Sequence, residues 1–208
     1  LTLWPIVFVQ GLIVAFVVRL IIRTVLGSEQ IERRLILTAL LLAIGTSLPW
    51  HTGQIMPDVF AGVLILSLYL IVVAWSDCNK LERAAVFVIL TLAMLFHYSH
   101  LLVAVLTLSI ATAAIFWSDG PLPEWRQKAI VLGVACVITV GGFVAYNKFY
   151  ADSATLSVDS SKFMLARMIN DGNVQAYLAD VCGEQDYVLC KYRDILKPGY
   201  NLLWSEDS

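Results

Sequence analysis

From Ala84 to Trp117 the chain runs for 34 residues without a single Asp, Glu, Lys or Arg. As one helix this run would be about 51 Å long at ~1.5 Å per residue, too long for one crossing of a ~30 Å hydrocarbon layer. As two helices it leaves each member short of the ~20 residues that a crossing normally takes. The only run of consecutive polar residues is His97-Tyr98-Ser99-His100, so the segment predicts a pair of short helices with a polar turn between them. Leu35 to Pro49 repeats the pattern, reaching only about 22 Å if helical.

Composition agrees with a lipid setting. Hydrophobic residues make up 59% of the 208 residues and charged residues 14%, well outside the usual balance of a soluble domain. Six apolar runs are candidate spans: 3–26, 35–49, 59–75, 84–96, 99–117 and 129–147. Lys and Arg orient them. Arg19, Arg23, Arg33 and Arg34 flank the first connection, Lys80 and Arg83 the third, and Arg126 and Lys128 the fifth, whereas 50–58 and 97–98 carry none. This alternation is the positive-inside asymmetry, and it places Leu1 outside, the basic turns in the cytoplasm and everything after about Asn147 outside again. Arg19 and Arg23 are expected to snorkel from the inner end of the first run. Gly141-Gly142 would permit close helix packing.

The expected fold class is all-α: a polytopic transmembrane bundle of about six spans, several of them short, over residues 1–147, with a small, mainly helical extracytoplasmic tail over 148–208. The chain opens on Leu-Thr-Leu-Trp-Pro without an initiator Met or a signal-peptide pattern and closes on Ser-Glu-Asp-Ser, so an internal piece of a longer protein is expected.

In the tail, the segment from Asp159 to Ile169 has the pattern of a capped amphipathic helix, with Asp159 or a following Ser as cap and Asn170-Asp-Gly172 as stop. A second helix is expected over Val174 to Val181. Cys182 and Cys190, eight positions apart, are a disulfide candidate if the tail lies outside the cytoplasm, the alternative being two reduced, partly buried thiols. Cys78 and Cys136, in a cytoplasmic turn and a span, are expected to be inert.

"SLPWHTGQIMPDVFAG", residues 47–62, holds the one formal charge between Arg34 and Asp77. Non-helical backbone at membrane depth survives only where protein buries it or where it lines a wet cavity, so two recessed outer turns predict one outward-facing cavity. All three histidines fall in these turns. An ionisable group at that depth is a functional candidate by default, which makes Asp58, His51, Trp50, His97, Tyr98 and His100 the candidate cavity residues. Structural roles compete with that reading. Asp58, before Val59, has the position of an N-cap; Trp50 and Tyr98 have the character of interfacial aromatics. His97 and His100, three apart, could share a metal ion, but no third ligand is identifiable, and hydrogen-bonded helix termini are the better expectation. No metal and no cofactor is expected. The sequence contains no phosphate loop, dinucleotide fingerprint or nucleophile elbow, and its basic residues sit at membrane edges, which argues against nucleic acid as a partner.

A short ascending helix leads to a polar outer turn and then to a descending helix headed by Pro-Asp ("MPDVFAGVLILSLYLIVVAW"). A basic inner turn ("NKLER") and a second short ascending helix ending in polar residues ("FVILTLAMLFHYSH") follow. This succession, over residues 1–147, resembles the membrane module of GT-C-type glycosyltransferases, which use polyprenyl-phosphate-linked sugars at the extracytoplasmic face. The resemblance implies a multi-pass protein of the bacterial inner membrane whose partners are membrane lipids and a polyprenyl-phosphate-linked sugar. In that family the catalytic carboxylate lies in a first outer loop, which would precede Leu1, so no catalytic residue is carried over. The tail, "FMLARMINDGNVQAYLADVCGEQDYVLCKYRDIL", is similar to segments of uncharacterised bacterial membrane proteins. The competing functions are a transporter or flippase, for which broken helices are also expected, and a non-catalytic assembly protein of envelope polysaccharide biogenesis.

Overall fold

The computed structural model describes residues 3–55, 57–117, 125–158, 160–193 and 196. Every regular element among them is helical. The chain divides into two compact units, Leu1–Tyr146 and Asn147–Ser208.

In the first unit α1 (Trp4–Leu26) starts at a Pro in its first turn, where the missing N–H costs nothing. It stops at Gly27, whose φ of 82° suits glycine. Then come α2 (Ile31–Gly45), a short α3 (Leu48–Gly53) and α4 (Val59–Val72). A 3₁₀ turn at Trp75–Asp77 precedes α5 (Lys80–Phe96), α6 (Tyr98–Trp117) and α7 (Trp125–Ala151). Among the described residues only α1 and α7 combine the length and the apolar character needed to cross a membrane; Val59–Val72 and Tyr98–Ile110 are shorter apolar stretches.

The core forms where α4 packs against α5. Leu64, Leu70 and Ile71 of α4 meet Val86, Leu90 and Met94 of α5, all of them fully buried, with Val17 and Leu20 of α1 and Leu132 and Ala135 of α7 closing around them. By contrast, α2 buries none of its side chains, leaving Leu41 73% and Ile44 86% exposed. On α7, Val137 is 72% exposed. Apolar surface this continuous is costly in water and costs nothing against hydrocarbon. Gly142 of α7 faces Leu95 of α5 so closely that an added Cβ would lie 2.8 Å from Leu95 Cδ2, a tight approach that glycine permits.

One end of this unit is held by basic side chains that bond backbone carbonyls at and just beyond helix C-termini. Arg34 donates to the carbonyls of Leu26 and Gly27, and buried Lys128 donates to Val72 O at 3.1 Å. Arg83 Nε donates to Trp75 O at 3.0 Å and Cys78 O at 2.9 Å, with its guanidinium 5.2 Å from the centre of the Trp75 ring. Arg34 and Lys128 thereby also lie at the negative ends of the α1 and α4 dipoles. Asn79 and Glu82 form a capping box: Asn79 Oδ1 accepts from Glu82 N–H at 3.0 Å, and Glu82 Oε2 accepts from Asn79 N–H at 2.9 Å. Arg23 departs from the snorkelling expected of it. Its guanidinium turns into the protein and forms an ion pair with Glu82, and Nη2 also donates to Asp77 O at 3.0 Å. Arg19 stays exposed.

In the second unit α8 (Ser160–Asn170) and α9 (Asn173–Val181) pack through Ile169, Val174 and Leu178. Gly172, at φ 79°, makes the left-handed turn between them. Cys182 and Cys190 are joined by a disulfide that ties the end of α9 to a 3₁₀ turn at Val188–Tyr192. Gln175 Nε2 fastens Leu196 O at 2.8 Å. Asp159 lies outside the described residues; Ser157 Oγ accepts from the Ser160 N–H at 3.2 Å.

Candidate functional site

The end of the first unit opposite its basic turns is built from α3, the segment 54–58 and the His97 turn. The start of α4 and the end of α5 meet there, with the Phe60 and Phe96 rings 4.4 Å apart between centres. From α1, Gln10 Nε2 donates to Gln54 O at 3.2 Å and anchors the segment that leads into α4. The two polar turns, some 45 residues apart in sequence, thus share one end of the helix pair.

Each candidate residue has a definite place. Trp50 and His51 lie in α3 instead of the open turn expected for them, Trp50 being 67% exposed and His51 half-buried with an unpartnered Nδ1. The signal for α3 was present as Ser47-Leu-Pro49, a start signal with Pro early in a helix, directly after Gly45 had ended α2. Asp58 occupies the N-cap position of α4 but does not cap it. Its own backbone is already helical (φ −61°, ψ −33°), and its exposed side chain accepts no amide of the first turn. The expected capping role is therefore corrected: Pro57 O accepts from Phe60 N–H at 2.9 Å and Asp58 O from Ala61 N–H at 3.1 Å, a tight turn in which backbone replaces the carboxylate.

His97 ends α5 in an extended conformation and begins α6. Its Nδ1 accepts from the Ser99 amide at 3.3 Å and lies 2.8 Å from Ser99 Oγ, so in the neutral ring the proton sits on Nε2. The Tyr98 ring stacks on it at 5.1 Å, and the His100 ring lies 5.5 Å away. His100 is buried, with Nδ1 2.7 Å from Ala93 O, a carbonyl near the end of α5. Because a carbonyl only accepts, Nδ1 is the protonated nitrogen of the neutral His100 ring. The two histidines are thus set in opposite tautomers. Among the described residues no group of three His, Cys, Asp or Glu could hold a metal ion.

A cavity of about 480 Å³ opens at this end between α1, α4 and α5. Its wall includes Val9, Gln10 and Ile13 of α1, Phe60 of α4, and Leu92 and Phe96 of α5. Neither Asp58 nor any histidine belongs to that wall. Sequence reasoning missed Gln10, the one polar residue inside an otherwise apolar first half of α1, although a lone polar group in a span was a readable signal. Comparison with protein-family models, curated proteins and solved structures finds no match for this chain.

Proposed function

We propose that residues 1–147 are a six-span module of the bacterial inner membrane, with the turns at 50–58 and 97–100 facing the extracytoplasmic side and the tail exported there. We further propose that it belongs to a glycosyltransferase using a polyprenyl-phosphate-linked sugar. What supports this is the convergence of two polar turns at one end of an apolar unit, seen in the Phe60–Phe96 contact. In this reading the lipid-borne donor approaches laterally, His97 Nε2–H donates to a phosphate oxygen, and the exposed Asp58 carboxylate accepts from a hydroxyl of the acceptor.

The test is binding of a short-chain polyprenyl-phosphate-linked sugar to the protein in nanodiscs. His97→Ala is expected to weaken binding on the order of tenfold, the loss of one hydrogen bond to a charged group. Asp58→Asn and Asp58→Ala should leave both donor binding and unfolding stability unchanged, within about 0.5 kcal/mol, because Asp58 caps nothing. Failure of the unaltered protein to bind the donor would end the glycosyltransferase reading; a stability loss in Asp58→Ala that Asp58→Asn avoids would restore the capping role.

A further inference from the structure

Where α7 ends, the chain turns back on itself. Counted from Ala129, the ~20 residues of α7 that cover a ~30 Å hydrocarbon core end at Lys148. Tyr146, Phe149 and Tyr150 are exposed at that level, with the Phe149 and Tyr150 rings edge to face at 5.0 Å. Aromatic side chains so placed have the position of an interfacial belt. Asp152 then takes a left-handed backbone, at φ 50°, and its carboxylate pairs with Lys148. Asn147 Nδ2 donates to Thr155 O at 2.7 Å, so the chain returns to the level of the aromatic rings instead of leading away from them. Ser160, where α8 starts, follows five residues later and lies no more than about 18 Å from Thr155.

Two sides of α8 are apolar. Ala166 and Ile169 are buried in the packing with α9. At about 100° per residue, Phe163, Met164 and Met168 fall on the opposite side, within an arc of about 140°. They are 53%, 67% and 40% exposed. Arg167 lies in the same arc, and α8 contains no acidic residue.

We propose that this outward side of α8 is seated on phospholipid, at the membrane surface where α7 ends. Phe163, Met164 and Met168 enter the boundary between acyl chains and headgroups, and Arg167 extends to the phosphates. The turn at 152–155 directs the chain back to that surface, and the short connection to Ser160 sets α8 beside the headgroups. Large apolar side chains around a single cation, without an acid, suit an interfacial helix. The seating requires that α7 span a membrane, as proposed above, but neither its orientation nor any sugar-transfer chemistry.

The experiment places the photo-cross-linking residue benzoylphenylalanine at Val137, Lys162, Phe163, Met164 or Met168 of the full chain, in nanodiscs of phosphatidylcholine and phosphatidylglycerol. Adducts are then identified by mass spectrometry. Val137, 72% exposed on α7, reports on the span itself. Lipid adducts are expected at 137, 163, 164 and 168, each at least about fivefold above Lys162, which the helical period puts away from the outward side. Lipid adducts at 137 with none above the Lys162 level at 163, 164 and 168 would overturn the seating and leave the membrane span standing. No lipid adduct even at 137 would overturn the span, and the seating with it. Protein-to-protein adducts at 163, 164 and 168 in place of lipid would assign the face to a second copy of the chain and overturn the proposal as well. Because three positions report on one face, the result stands if any one of them fails to fold.

Discussion

Replacing Arg23 with Met is expected to destabilise the first unit by about 2–3 kcal/mol, because it leaves Glu82 charged, mostly buried and without its ion-pair partner. Breaking a fully buried pair costs ~3–5 kcal/mol; the side chains here remain 22% and 12% exposed, so water recovers part of the loss. Arg23→Lys should restore less than half, since one ammonium cannot span both Glu82 oxygens and the Asp77 carbonyl as the guanidinium does. Glu82→Gln keeps an acceptor for the Asn79 amide while removing the charge. Combining Arg23→Met with Glu82→Gln should therefore cost less than the sum of the two single changes. Unfolding measurements in detergent check this, and strict additivity would mean that the pair contributes nothing as a pair.

The same pair predicts a dependence on pH. Glu82 lies ahead of the apolar segment that begins at Ala84, and hydrogen bonding from Arg23 holds its carboxyl below the ordinary carboxylate range, more than offsetting the opposing effect of burial. A depressed folded-state pKa means that the stabilisation is complete above the unfolded carboxylate value of ~4.3 and is lost as pH falls through the lower folded value. The advantage of wild type over Glu82→Gln should be flat from neutral to mildly alkaline pH and shrink only in acid.

The second large effect is expected in the tail. Changing Cys182 and Cys190 together to Ser should cost the second unit about 2–3 kcal/mol, the loop-closure value for a separation of eight residues. That is a large fraction of what so small a unit can hold, because among the described residues only Ile169, Val174 and Leu178 form its buried cluster. The 3₁₀ turn at Val188–Tyr192 should loosen first, as faster amide exchange there than in α8, while the first unit is unchanged. In the unaltered protein both thiols should resist alkylation until a reductant is added. Labelling without reductant would show that the bridge is not formed in the cell and would argue against an exported tail.

The helices themselves were legible in the sequence because apolar length and charge punctuation are local signals. Runs read as 3–26, 99–117 and 129–147 correspond to Trp4–Leu26, Tyr98–Trp117 and Trp125–Ala151. The segment 35–49 was read as one run, whereas Gly45 ends α2 and Pro49 lies in the first turn of α3. What local pattern could not reveal was pairing at a distance. Arg23 and Glu82 are 59 positions apart and Lys128 and Val72 are 56 apart, so basic residues that mark a membrane edge in sequence become caps for specific carbonyls only once the helices pack. At the candidate site the meeting of the two polar turns followed from helix lengths. The contents of the cavity did not, since Asp58 and the histidines were expected in its wall and Gln10, Phe60 and Phe96 are found there.

The six-span orientation is the central claim, and reporter fusions at Asn79, Gly120 and Ser161 test it most directly. Asn79 heads α5 beside the basic turns, Ser161 lies in α8, and Gly120 falls in a connection outside the described residues. Cytoplasmic signals at Asn79 and Gly120 with an external signal at Ser161 are the expected result, because all eight Lys and Arg of residues 1–147 flank the connections assigned to the cytoplasm. An external signal at Gly120 would reverse α6 and α7 and contradict the account.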